Sequence, residues 1–160
     1  MYGNSMSARQ REESLKAYQN KSLKEAMAMA DPYTITKMLF QGLFERLCQA
    51  KGAILRGDMN AKSKKLSAAG LIIENLRNSL DFSYRKDFAQ NMYDLYTYMI
   101  GRLADANMHA TTEPIDAVIK TLLPIKNAWD NIPYAAVQEA AKHRSRENTY
   151  EDHALANGSI

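Results

Sequence analysis

The stretch IDAVIKTLLPIKNAWDNI, residues 115–132, decides the fold of this chain. Its large apolar residues alternate at spacings of three and four, from Ile115 through Leu122 and Trp129 to Ile132. An α-helix turns every ~3.6 residues, so these side chains form one stripe along one face of a helix. A strand would need apolar residues at every second position, and no long stretch of the sequence has that alternation.

Three more segments carry a stripe of this kind, and the clearest runs from Leu66 through Ile73 to Leu80. A helix with one apolar face must bury it against another element, and short joints force successive helices to fold back on each other. The sequence therefore predicts an all-α fold, an antiparallel four-helix bundle. The predicted helices span about residues 32–56, 59–80 and 88–109, with a fourth that is capped by Thr111 or Thr112 and ends near Asn131.

The first two predicted helices have clear end signals. Asp31 is a good N-terminal capping residue, and Pro32 fits the first helical position because its missing N–H has no partner there. Gly57 predicts a helix stop, and Asp58 predicts an immediate new start. So short a joint places the second helix alongside the first.

The two termini are more polar than the middle of the chain. Residues 1–14 predict a mobile arm, and residues 15–29 have an ambiguous pattern that allows a short helix. Residues 134–146 predict a short fifth helix, and the polar residues 147–160 predict a frayed tail. The predicted organisation is an N-terminal arm (1–30), a helical bundle (31–133) and a C-terminal extension that is partly helical or disordered (134–160).

Composition narrows the class of protein. A length of 160 residues favours one domain, and 46% hydrophobic with 24% charged residues is ordinary for a globular chain. A net charge of +3 is small for a nucleic-acid binder, so the lysines at 62, 64 and 65 are interpreted as a solvated helix face. No apolar run reaches the ~20 residues of a membrane helix, and the first residues lack a signal peptide. The expected location is the cytosol, without nucleic acid and without membrane insertion.

The sequence offers no recognisable catalytic chemistry. None of the three histidines follows a glutamate at the Glu-x-x-His spacing of di-iron bundles, and the glycines form no phosphate-binding loop. Cys48 is the single cysteine, lies on a striped helix, and is predicted to be a small buried hydrophobe. We therefore predict no enzyme activity, no cofactor and no metal.

Methionine and tyrosine are unusually frequent, with nine of each. Methionine adapts to irregular binding surfaces, and tyrosine supplies a large contact area that can still face water. Tyr93, Tyr96 and Tyr98 crowd one predicted helix beside Met92 and Met99. These side chains either fill and rim the core or form a groove for the amphipathic helix of a partner.

Several of these stretches resemble the flagellar secretion chaperone family FliS. The resemblance covers roughly residues 18–132 and rests on combined motifs, each of which is weak alone. The motifs are AYQN (17–20), ADPY (30–33), ITKMLFQGLFERLCQAKGAILRGD (35–58), AQNMYDLYTYMIGRLADAN (89–107) and AW (128–129).

The resemblance implies a cytosolic chaperone that binds the C-terminal segment of flagellin, prevents its premature polymerisation, and presents it to the flagellar type III export apparatus. An alternative is a helical adaptor that binds a flagellar regulatory protein instead of carrying cargo. Pro124 departs from the family pattern, because it is expected to kink or loosen the fourth helix where the family commonly continues it.

The family motifs and the tyrosine cluster together define a candidate groove for flagellin. Tyr18 matches an aromatic residue near the family's N-terminus, and the others lie on the first, third and fourth predicted helices. The candidate groove residues are Tyr18, Ile35, Met38, Leu39, Leu43, Tyr93, Tyr96, Met99, Leu103, Asn107 and Trp129.

Overall fold

The structure, a computed structural model, describes residues 7–29 and 31–158. Within those residues it is all α-helical, with no strand, which confirms the predicted fold class. The helices are α1 (Ala8–Met29), α2 (Pro32–Arg56), α3 (Met59–Asn78), α4 (Lys86–His109), α5 (Glu113–Asp130) and α6 (Tyr134–Asn157).

The chain divides into two compact units, residues 1–35 and residues 36–160. The first unit contains α1, which begins at Ala8 and is therefore longer than the short helix predicted from residue 15. Ser7 and Gln10 form a reciprocal capping pair. The Ser7 backbone N–H donates to the Gln10 side-chain oxygen at 2.9 Å, and the Gln10 backbone N–H donates to the Ser7 hydroxyl at 3.2 Å. Residues 1–6 of the predicted arm, and Ala30, lie outside the described residues.

The predicted starts of α2 and α3 are confirmed in atomic detail. The Asp31 carboxylate accepts hydrogen bonds from the Thr34 backbone N–H (2.9 Å) and hydroxyl (3.0 Å). The pKa of Asp31 is lowered, and the hydrogen bond from the Thr34 backbone N–H is the main cause. Asp58 accepts from the Ala61 N–H at 3.0 Å. Gly57 has φ +73°, a left-handed conformation that glycine adopts without steric cost. These residues make the two-residue joint between α2 and α3 possible.

The start of α5 differs from the prediction. Thr112 stands at the capping position, but its side chain makes no capping hydrogen bond, because its backbone (ψ −21°) is already helical. Pro114 is buried in the first turn of α5. Pro124 lies inside α5 on its exposed side, and the helix continues past it to Asp130; a kink there stays a prediction.

Side-chain pairs show that α2 and α5 run antiparallel. The rings of Phe40 and Trp129 lie 6.1 Å apart, and the Lys126 Nζ lies 5.9 Å from the centre of the Phe44 ring. Further along α2, the Lys51 Nζ lies 2.6 Å from the Asp116 carboxylate. Residue numbers rise along α2 while they fall along α5, so the N-terminus of one helix lies beside the C-terminus of the other.

The helices α3 and α4 are antiparallel by the same reasoning. The Lys62 Nζ donates to the Asn107 carbonyl at 2.8 Å, and the Arg77 guanidinium donates to the Thr97 hydroxyl at 3.3 Å. Lys62 is only 8% exposed, so the prediction that it belongs to a solvated face is wrong. Its cation reaches the last turn of α4, where unpaired carbonyls and the negative end of the helix dipole favour positive charge.

The core consists of one apolar stripe from each of α2, α3, α4 and α5. Fully burying a Leu, Ile or Phe side chain stabilises the fold by ~1.5–3 kcal/mol, so these stripes hold the bundle together. The buried core residues are Phe40, Leu43, Leu47, Ala50, Leu66, Ala69, Ile73, Leu76, Tyr96, Met99, Leu103, Ala106, Ile115, Val118 and Leu122.

Cys48 is exposed, so its predicted burial is wrong. The neighbouring Leu47 is fully buried in the core stripe. Each step along an α-helix rotates the side chain by ~100°, which carries residue 48 away from the face that Leu47 occupies. An apolar neighbourhood in sequence therefore did not imply a buried position.

The C-terminal helix α6 is longer than predicted, since it extends to Asn157 and not only to residue 146. Hydroxyls of Ser145 and Thr149 donate to carbonyls four residues earlier, at 2.8 and 2.7 Å. Residues 159–160 of the predicted frayed tail lie outside the described residues. The predicted boundaries at residues 30 and 133 stay predictions.

We expect Lys62→Met to destabilise the bundle by about 1 kcal/mol, which lowers Tm by about 2–4 °C. Methionine preserves the length of the side chain but leaves the Asn107 carbonyl, the acceptor of this part-buried hydrogen bond, without its charged donor. Thermal unfolding followed by circular dichroism measures the change. Lys120→Met, at an exposed position of α5, is the matched control. Equal melting temperatures for both variants would contradict a stabilising role for Lys62.

We expect Gly101→Ala to stabilise the protein by about 0.5–1 kcal/mol, because alanine restricts the unfolded chain and favours helix. Gly101 lies inside α4, and an added Cβ would meet no atom within 4 Å. Gly57→Ala should have the opposite effect, because its positive φ strains any residue with a Cβ. Urea unfolding midpoints compare the two, and a loss of stability in Gly101→Ala would contradict the expectation.

Candidate partner-binding surface

The two ends of the helical bundle expose different apolar side chains: aromatic rings concentrate at one end, and the other end exposes Leu55, Met59 and Met108. Because the helices are antiparallel, the N-termini of α2 and α4 lie at the same end as the C-termini of α3 and α5. The opposite end contains the Gly57–Asp58 joint, the short α4–α5 connection and the Lys62 hydrogen bond. The first end, which we call the apolar end, contains side chains that the core leaves partly uncovered.

The apolar end consists of large residues that pack against the core but are only partly buried. Trp129 of α5 contacts Phe40 of α2 and still keeps part of its surface exposed. Side chains from α2, α4 and α5, and Leu80 just after the end of α3, contribute in this way. The partly buried residues of the apolar end are Leu39, Leu80, Met92, Leu95, Ile125 and Trp129.

The connection between α3 and α4 adds exposed aromatic rings to the apolar end. Tyr84 is 85% exposed, Phe88 55% and Phe82 40%. The Phe82 ring meets Tyr93 edge-on at 6.2 Å, which is a favourable geometry for two aromatic side chains. We call Phe82, Tyr84, Phe88 and Tyr93 the aromatic patch.

Two arginines and a tight turn support the aromatic patch. The Arg77 guanidinium lies 5.3 Å from the Tyr93 ring centre, and that of Arg85 lies 5.5 Å from the Phe88 ring centre. The Asp81 carboxylate accepts hydrogen bonds from the Ser83 hydroxyl and backbone N–H, and the hydroxyl bond foremost lowers the pKa of Asp81. These contacts hold exposed rings in place, so less conformational entropy is lost when they bind a partner.

Four predicted groove residues lie in the interior instead. Leu43, Tyr96, Met99 and Leu103 are at most 4% exposed and belong to the core. In this conformation they support the surface from below and do not reach it.

Four other predicted residues of the second unit reach the surface. Met38, Leu39 and Trp129 are half-buried, and Tyr93 is 38% exposed. Asn107 is also exposed, but it lies at the opposite end of the bundle, where its carbonyl accepts from Lys62 and its side-chain oxygen from Ser63. The structure therefore gathers Met38, Leu39, Tyr93 and Trp129 at the apolar end and separates Asn107 from them.

The remaining two predicted residues belong to the first unit. Tyr18 is 72% exposed on α1, and Ile35 is half-buried in the first turn of α2. A role for Tyr18 and Ile35 in binding stays a prediction.

The aromatic patch was largely missed from the sequence, although a signal for it existed. The segment DFSYRKDF, residues 81–88, contains three aromatic residues: Phe82 and Tyr84 lie in what was predicted to be a connection between helices (81–87), and Phe88 follows as the first residue of the next predicted helix. Connections lie on the surface, so aromatic residues concentrated there indicate a binding role more strongly than the same residues on a helix stripe.

Other kinds of site find no support in the part of the chain that the structure describes. No three side chains of His, Cys, Asp or Glu lie close enough together to hold a metal ion in residues 7–29 and 31–158. Among the described helices, none combines the length and apolarity needed to cross a bilayer. The fold and the apolar end together define a helical protein-binding module.

Comparison with known proteins assigns that module to a family. A model of the family described as "Flagellar protein FliS" matches residues 14–136. The flagellar secretion chaperone FliS of Vibrio cholerae is 37% identical over 120 residues, 75% of this chain and 88% of the relative. The corresponding protein of Salmonella typhimurium is 38% identical over 128 residues, 79% of this chain and 95% of the relative. The chain belongs to the FliS family of flagellar secretion chaperones, and it is not an enzyme.

A third relative and a solved structure agree with this assignment. Flagellar secretion chaperone FliSB of Pseudomonas aeruginosa is 38% identical over 120 residues, covering 75% of this chain and 95% of the relative. A structure described as "Crystal structure of flagellar chaperone from bacteria" has a TM-score of 0.60 at 14% identity, covering 76% of this chain and 98% of that chain. At this identity the structural likeness shows the shared fold.

We expect Tyr96→Phe to reduce the loss of stability between about pH 10 and 12. Burial raises the pKa of Tyr96 to about 12, because the interior disfavours the charged phenolate. The unfolded chain releases this proton near pH 10, so rising pH increasingly favours unfolding until the folded state also titrates. Denaturant unfolding at several alkaline pH values measures the effect, with the half-exposed Tyr98→Phe as control. Equal alkaline losses in wild type and Tyr96→Phe would contradict it.

Proposed function

We propose that this protein is a cytosolic export chaperone that binds the C-terminal segment of flagellin. In this role it keeps flagellin from polymerising early and delivers it to the flagellar type III export apparatus. Family membership supports the general role. The apolar end, with its partly uncovered side chains from α2, α4, α5 and the α3–α4 connection, is the observation that supports binding of an amphipathic client.

The physical requirement comes from the client. A filament-forming segment is disordered alone and amphipathic when helical, so its apolar face needs a substitute for its neighbours in the filament. Ordering such a segment costs conformational entropy, which burial of a large apolar surface offsets. Binding by shape and apolar contact needs no nucleotide or metal.

The apolar end offers the side-chain types that such binding uses. Tyr93 and Trp129 are aromatic residues of the kind that dominate binding energy at interfaces, and Met38 can adapt its shape to a client. The arginine beside Tyr93 can pair with carboxylates of the client once water is displaced. We therefore assign client contact to the exposed residues and a supporting role to Leu43, Tyr96, Met99 and Leu103.

Trp129 provides a direct test, because it is the single tryptophan of the chain and lies at the apolar end. Titration with a tryptophan-free peptide from the flagellin C-terminus should shift its emission to shorter wavelength as client side chains exclude water. We expect Tyr93→Ala to weaken binding by about 1–2 kcal/mol, or about 5- to 30-fold. Calorimetry of the same titration gives the dissociation constant.

The control is Tyr150→Ala, which removes an equally large side chain at an exposed position of α6. It should leave the affinity unchanged. Melting temperatures of both variants separate lost binding from lost folding. A dissociation constant weaker than about 1 mM for the wild type, or equal weakening by both variants, would overturn the proposal.

A further inference from the structure

A second surface, unrelated to the apolar end, lies where α2 passes the start of α3. It is an open cleft of about 420 Å³ between the two helices. Arg46 of α2 forms one wall, and the first three turns of α3 form the other. The lining residues are Arg46, Asp58, Asn60, Ala61, Lys64, Lys65 and Ala68, and we call this the basic cleft.

The basic cleft holds positive charge that the protein itself does not neutralise. Arg46, Lys64 and Lys65 form no ion pair with any carboxylate in residues 7–29 and 31–158. The Arg46 guanidinium donates to the Gly42 carbonyl at 3.1 Å, which holds the half-buried side chain against its own helix. The one carboxylate in the lining, Asp58, is engaged in capping α3. Asp58 keeps its negative charge while it caps α3, so three cations and one carboxylate line the cleft and leave a net positive charge available to a ligand.

The floor of the cleft is apolar and small. Ala61 and Ala68 lie two turns apart on α3, with Lys64 and Lys65 on the turn between them. Spacings of three and four put all four residues on one face of that helix. A ligand that fits this face needs small or flat apolar atoms against the methyl groups and negative groups beside the cations.

This combination favours one class of ligand. An open cleft with alanine methyl groups offers few fixed donors to hold a small anion away from water. A nucleic acid needs a longer basic track, and the net charge of the chain is only +3. In a peptide segment that alternates carboxylates with small apolar residues, the carboxylates can pair with the cations of the cleft and the apolar residues can pack on its alanine floor.

We infer that the basic cleft is a docking site for an acidic, amphipathic segment of a second protein partner, distinct from the client held at the apolar end. Charge complementarity selects the segment and speeds its encounter, and contact with the alanine floor fixes its register. Because the two surfaces involve different residues, client and second partner can bind at the same time.

The test uses the full chain and a fluorescent acidic helical peptide of about 15 residues, built from glutamate, alanine and leucine. We expect saturable binding at low salt, followed by anisotropy. The triple variant Arg46→Gln, Lys64→Gln and Lys65→Gln should weaken it by at least about tenfold. The control triple variant Lys37→Gln, Lys120→Gln and Lys142→Gln removes equal charge at exposed positions and should change affinity less than about twofold.

Two further measurements complete the test. Amide NMR shifts caused by the peptide should map to residues 58–68 and to Arg46, and a peptide with glutamine in place of glutamate should not bind. Affinity for the flagellin peptide should be the same in both triple variants. The inference is overturned by absence of binding, by equal weakening in both triple variants, by tighter binding of an oligonucleotide than of the peptide, or by loss of flagellin binding in the cleft variant alone.

Discussion

Burial of a single apolar stripe on each of four helices is the constraint on which the rest of this structure depends. None of these helices can bury its stripe alone. The two-residue joint at Gly57–Asp58 is so short that α3 must run antiparallel alongside α2. The stripes therefore meet in one antiparallel core. Hydrogen bonds and ion pairs between helices, such as Lys62 to α4 and Lys51 to Asp116, lie at the margins of that core. They orient helices that hydrophobic burial has already brought together.

The core closes unevenly, and this unevenness produces the surface that we propose binds the client. One end has short connections between helices and a lysine that caps a neighbouring helix, and its exposed apolar side chains are the aliphatic Leu55, Met59 and Met108. At the other end, the longer α3–α4 connection carries aromatic residues outward, and Trp129, Met92 and Leu80 are left partly uncovered. Exposing apolar surface to water is unfavourable, so a client that covers this surface lowers the free energy of the protein. For a member of a secretion-chaperone family, that is the expected division between a rigid scaffold and a binding end.

The same bundle separates two kinds of recognition. The apolar end offers rings and flexible side chains, so affinity there depends mainly on excluded water and buried area. The basic cleft offers unpaired cations over alanine methyl groups, so recognition there depends on charge and falls with salt. Under the two proposals above, surfaces of such different chemistry would let one small protein hold a client and contact another protein without competition between them.

The sequence by itself determined the helices, their number in the bundle and their antiparallel order, because periodicity, capping residues and short joints are local signals. It also carried the family motifs. Only the tertiary structure decided which stripe residues are interior and which are accessible: Tyr96 is buried while Tyr93, on the same helix, is exposed. It likewise placed Cys48 outside and Lys62 inside, and it gathered an arginine of α2 with lysines of α3. Those outcomes depend on how each helix is rotated about its axis relative to its neighbours. Contacts between side chains that are distant in sequence set this rotation, so no local sequence pattern predicts it.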